Sequence, residues 1–154
     1  MRKLGILIPN LGVNQLAFMA VYQANKLLAE RYDTNIMFFC QNSGPHVLPP
    51  SCTVMQMAEA HCFDGTLLAT SVGTAKIALK LPGPKRILYY VWDLEWIRPR
   101  PVYYNDILPA FIDPKMDLIA RNADHAAIIK NCFNRDPIGV ADDFDMSSIL
   151  YWAA

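Results

Sequence analysis

Charge is scarce in this chain of 154 residues: 18% are Asp, Glu, Lys or Arg, 53% are hydrophobic, and the formal net charge is zero. So apolar a composition excludes a disordered chain. The missing positive excess removes the electrostatic case for a nucleic-acid or anionic-membrane partner. The charge is uneven all the same: residues 1–100 hold ten Lys/Arg against six Asp/Glu, and residues 101–154 hold four against eight. Long apolar runs are missing too. None reaches the ~18 residues that cross a bilayer, and the opening "MRKLGILIPN" breaks at Pro9-Asn10 before it can serve as a signal peptide. The four cysteines, Cys40, Cys52, Cys62 and Cys132, are spaced by 12, 10 and 70 positions, which fits neither a CxxC pair nor a zinc ribbon. These absences predict a cytoplasmic protein with reduced thiols. Internal repeats and low-complexity segments are absent as well.

What is present is an alternation of short apolar runs and helical periodicity. "KLGILI" (3–8) suits a strand buried on both faces. Asn14 is placed to cap a helix over 15–32, whose apolar positions recur at helical spacing, and "TNIMFFC" (34–40) is a second strand. Further strands are predicted at 52–57, 65–70 and 86–92, and a helix at 72–81 stopped by Pro82-Gly83-Pro84. Beyond these, the reading gives helices at 103–112 and 114–122, strands at 125–129 and 137–144, and a last helix at 145–152 with Asp145 as cap. Length and pattern predict one α/β domain over 1–154: three layers, doubly wound, with a mainly parallel, Rossmann-like sheet of six or seven strands.

Ligands of such sheets bind beyond the carboxyl ends of the strands. The turn "PNLGVNQ" after the first strand has one glycine; it is neither GxGxxG nor a Walker loop, since no GK[ST] follows. Asn10 and Gly12 there are candidates for touching a sugar hydroxyl or an anion, or they form a plain turn. "TSVGTA" repeats the theme, with Ser71 and Gly73 as binding candidates or Thr70 or Ser71 as a mere cap. GxSxG is absent, so a hydrolase elbow is not supported.

"RILYYVWDLEWIRPRP" (86–101) runs from a strand into two tryptophans and two carboxylates. Asp93 and Glu95 are the catalytic candidates, as a base or as groups that orient a hydroxyl. Trp92 and Trp96 are candidates for stacking on a ring. The rival reading makes the tryptophans core plugs and pairs the carboxylates with Arg98 or Arg100. His46, His61 and His125 fit no zinc-protease motif. "VADDFD" (140–145) is either a DxD-like metal motif or an acidic loop and helix cap.

The order of "LGILIPNLGVNQLAFMAVYQANKLLAERY", "GTLLATSVGTAKIALKLPGPKRILYYVWDLEW" and "LIARNADHAAIIKNCFNRDPIGVADDFD" resembles the N-terminal, acceptor-side half of a GT-B glycosyltransferase. The resemblance implies a first β-α turn that faces the acceptor, with Asp93 nearest in position to the acceptor-side base. It also implies a partner, because in that family a second Rossmann-like domain holds most of the nucleotide-sugar site. Here the sequence reaches Ala154, about where the first domain ends. The expectation is therefore a glycosyltransferase-like single domain that transfers or recognises a sugar. A partner subunit would supply donor binding, or a homo-oligomer would form; no cofactor, metal, membrane or nucleic acid is implied. A non-catalytic interaction protein and a small nucleotide-binding Rossmann-like protein are the alternatives.

Overall fold

The computed structural model describes residues 2–31, 33–97 and 101–154, without the side chains of 101–103. Seven parallel strands form one sheet in the order β3-β2-β1-β4-β5-β6-β7. They are β1 (Arg2–Ile8), β2 (Thr34–Cys40), β3 (Thr53–Gln56), β4 (Thr66–Ala69), β5 (Arg86–Val91), β6 (Met116–Ala120) and β7 (Gly139–Val140). Five α-helices cover it: α1 (Gln15–Glu30), α2 (Val72–Lys80), α3 (Pro101–Ile112), α4 (Ala123–Phe133) and α5 (Met146–Trp152). The fold is the predicted three-layer, Rossmann-like α/β domain, with every strand parallel.

Alternation along each strand sorts the core into two clusters. Leu4, Ile6 and Ile8 of β1 and Leu88 and Tyr90 of β5 pack with α1 and α5. Leu7, Tyr89 and Val91 point the other way, toward α2, α3 and α4. Side chains buried on both faces require near-continuous apolar runs, which is what β1, β2 and β5 carry. The helix starts follow the caps. Asn14 Oδ1 accepts from the Ala17 amide at 2.8 Å, Ser71 Oγ from Thr74 at 3.2 Å, and Asp145 Oδ2 from Ser148 at 3.1 Å.

Two predicted elements are exchanged. Residues 114–122 are not a helix, because Met116–Ala120 form β6 between β5 and β7. Residues 125–129 are not a strand; they lie in α4, capped by Asn122 and ended by Asn134 in a left-handed conformation. The strand predicted over 137–144 shrinks to Gly139–Val140, followed by a 3-10 turn over Asp142–Phe144. Among the described residues, no helix is long and apolar enough to cross a membrane.

Candidate functional site

The strand order reverses between β1 and β4: the chain moves outward from β1 to β2 and β3, then returns to β4 and proceeds through β5, β6 and β7. The helix after β1 lies on one face and the helix after β4 on the other. A crevice therefore opens at the carboxyl ends of these two strands, the usual ligand position in open α/β sheets. Its floor is pinned by Thr70, whose buried hydroxyl donates to the Leu7 carbonyl at 2.8 Å.

On the β1 side, Asn10 Oδ1 accepts from the Gly12 amide at 3.0 Å and from Asn14 Nδ2 at 2.9 Å. One side chain thus shapes the turn and steadies the residue that caps α1. On the β4 side, Thr74 Oγ1 accepts from the Thr70 and Ser71 amides at 3.0 and 2.9 Å. Ser71 is the helix cap, and Thr70 is the strand tie. A Cβ built on Gly73 would meet only Ser71 Oγ, at 3.9 Å. Its φ is ordinary, so neither conformation nor packing requires a glycine there.

The loop after β5 reaches across to α2. Glu95 Oε2 accepts from the Val72 amide at 2.8 Å and from the Tyr89 hydroxyl at 3.3 Å. A carboxylate therefore sits at the positive end of α2, where an anionic ligand would otherwise bind. Burial, reinforced by Glu95, pushes the Tyr89 phenol well above its ordinary range, which keeps it protonated and donating. Asp93 is exposed in the same loop. Arg98 and Arg100, the alternative partners for these carboxylates, lie outside the described residues.

Both tryptophans are engaged by the protein. Trp96 stands edge-on to Phe111 and Phe133, with centroids at 4.8 and 4.9 Å. Trp92 is 8% exposed, beside Tyr90 and Phe144, with the Arg121 guanidinium 3.8 Å above its ring. Arg121 also donates to Asp143 Oδ1 at 3.3 Å. Sequence reasoning missed Arg121 because it placed this residue inside a helix rather than at the carboxyl end of β6.

The acidic run 142–145 disperses its carboxylates. Asp143 turns to Arg121, while Asp145 caps α5. Among the described residues, no group of three or more His, Cys, Asp or Glu could hold a metal ion. Asp143 and Phe144 have φ of 45° and 63°, a conformation that Asp tolerates and that is costly for Phe. Tyr90 holds that turn: its hydroxyl donates to the Ala141 carbonyl at 2.5 Å and accepts from the Phe144 amide at 2.9 Å.

A cavity of about 310 Å³ lies on the other side of β1, at the carboxyl ends of β2 and β3. Asn42, Ser43, His46 and Gln56 contribute to its lining, and none of them was a sequence-derived candidate. The signal available was the position of 41–43 at a strand end. A larger cavity, about 440 Å³, opens at the opposite, amino-terminal edge of the sheet by Arg2, Lys3, Asp64 and Lys85. There Lys3 pairs with Asp64 at 2.8 Å and holds that carboxyl below its ordinary range, while Arg2 reaches the Leu150 carbonyl at the end of α5 at 3.5 Å. That edge serves the structure by neutralising a helix end.

No family model matches the chain, and no curated protein or solved structure compared with it does so.

Proposed function

We propose that this chain is a glycosyltransferase-like, acceptor-side domain that recognises an uncharged sugar. The observation that carries the reading is Glu95 on the Val72 amide at the switch-point crevice. The start of α2 is already neutralised from within, and that of α1 is capped by the neutral Asn14. The crevice is lined by the neutral side chains of Asn10, Asn14 and Ser71; the donors and acceptors they retain beyond those holding the turn and the two caps suit a polyol. In this reading Asp93, exposed in the adjoining loop, is the base for the attacking hydroxyl, and Glu95 is a positioning residue that fixes the loop on α2. The unexplained glycine at 73 lets a ligand approach the backbone closely.

The test is a thermal-shift screen of the protein with free sugars, nucleotides and nucleotide-sugars, repeated with Asp93→Asn. A ligand that binds the folded state raises the midpoint by mass action. A rise with free sugars supports the reading. A rise with free nucleotides alone would replace it by the nucleotide-binding alternative.

A specific observation favours the interaction-protein alternative. Phe18 and Tyr22 stack on α1, 42% and 49% exposed. With zero net charge the chain has no self-repulsion to oppose pairing of two copies through this stripe. Sedimentation equilibrium of the protein and of Phe18→Ser/Tyr22→Ser tests the self-pairing form of it: a dimer lost in the double variant supports that form, and a monomer throughout removes it.

A further inference from the structure

The cavity at the carboxyl ends of β2 and β3 differs in chemistry from the switch-point crevice. Its apolar wall comes from Leu11, Cys40 and Val54, which share one core cluster, while Met55 lines it from the strand but packs into the other cluster. Burial pushes the Cys40 thiol up to about 11, so that wall stays a neutral S–H at physiological pH. The polar groups are Asn42, Ser43, His46 and Gln56, on the 41–46 loop and at the end of β3. Among the described residues no hydrogen bond or ion pair engages the Asn42, Ser43 or His46 side chain, so their donors and acceptors remain open to a ligand. Neither Lys nor Arg lines the cavity; the carboxylate present, Glu59, accepts from the Gln56 amide at 2.8 Å.

We propose that this cavity binds a nucleobase-type heterocycle, as the free base or the nucleoside, against its apolar wall and with its polar edge on Asn42 and Gln56. Each feature of the lining selects for that class. An aliphatic and thiol wall suits a ring whose faces carry no hydrogen-bonding groups. A pyranose carries hydroxyls all round its rim, and those turned toward Leu11 and Val54 would be left unpaired, at a desolvation cost. Side-chain amides offer a donor beside an acceptor, the pattern that base edges complement. The carboxylate of Glu59 and the lack of a cation oppose a phosphate. At about 310 Å³ the cavity is within the size range of small-ligand sites.

The site is separate from the proposed sugar crevice, and its test is separate too. The isotopically labelled protein is titrated with adenosine, guanosine, cytidine and uridine, then with adenosine monophosphate and glucose, and amide shifts are followed by NMR. The expected result is saturable shifts at 42–46 and 54–56 with at least one nucleoside. Its monophosphate should bind more weakly, and Asn42→Ala should weaken the nucleoside on the order of tenfold. Asn42 is exposed in a loop, so this variant is expected to fold, which its circular dichroism verifies. Shifts at these residues with glucose but with no nucleoside would overturn the assignment. So would nucleoside affinity unchanged in Asn42→Ala, or no saturable shift with any probe.

Discussion

The hydroxyl of Tyr90 closes a ring with Phe144: it accepts from the Phe144 amide at 2.9 Å, donates to the Ala141 carbonyl at 2.5 Å, and the two aromatic rings meet edge to face at 4.8 Å. One β5 side chain thereby fixes a turn containing two consecutive left-handed residues. Tyr90→Phe keeps the ring contact and deletes both hydrogen bonds, leaving a buried donor and a buried acceptor unpaired. A loss of about 2–4 kcal/mol in unfolding free energy is expected by urea denaturation. A loss under about 0.5 kcal/mol would show that ring packing alone holds the turn.

Glu95 is expected to stabilise the fold through α2 rather than through its own loop. Glu95→Gln retains an acceptor for the Val72 amide and gives up the charge, so the cost is about 0.5–1 kcal/mol. Tyr89→Phe removes the second partner of the same oxygen. In a double-mutant cycle the two changes should couple by about 0.5 kcal/mol or more. Strict additivity would mean that the 3.3 Å contact between them carries no energy.

The fold was legible where composition and period agree. The runs "KLGILI" and "RILYYV" are apolar on both faces because helices cover both sides of the sheet, and Asn14, Ser71 and Asp145 announce their helices as caps. The exchange at 114–129 has a physical cause. In β6, Met116, Leu118 and Ala120 face one cluster and Ile119 the other; because both faces are buried, Met116, Ile119 and Ala120 also fall at i, i+3 and i+4, the spacing of a helix face. The one exposed-looking break, Asp117, is taken up by Arg86 at 2.9 Å. In α4, "HAAII" reads as a strand only if the cap at Asn122 and the stop at Asn134 are passed over. The loop positions of the crevice were legible from strand ends. The pairings across it, Glu95 with Val72 and Arg121 with Trp92, join segments 23 and 29 positions apart and leave no local trace.

The buried cysteines open the alkaline limb of stability, ahead of Tyr89 and Tyr90, whose phenols burial also raises. Burial pushes the Cys40 and Cys52 thiols up to about 11 from 9.0. Between those values the unfolded chain has released protons that the folded chain keeps, so the unfolded state binds fewer protons and stability falls as pH rises. The contribution is complete below about pH 8.5 and is lost as pH climbs toward 11. Urea midpoints measured from pH 8 to 11 should decline, and Cys40→Ala should flatten the slope. Thiol titration of the native protein at pH 8 should label the exposed Cys62 and Cys132 fast and Cys40 slowly.

Trp96 separates anchoring from binding in the loop after β5. Its ring meets Phe111 and Phe133, which stack on each other at 4.3 Å, so it closes an aromatic cluster between α3 and α4. Trp96→Ala removes those contacts from a half-buried site, and a cost of about 2–3 kcal/mol is expected. Trp96→Phe restores an apolar ring and should recover more than half of that loss. If Trp96 is an anchor, sugar affinity measured on the folded Phe variant stays within twofold of the parent chain. A drop of tenfold or more in the Phe variant, with stability recovered, would show instead that the indole itself touches the ligand.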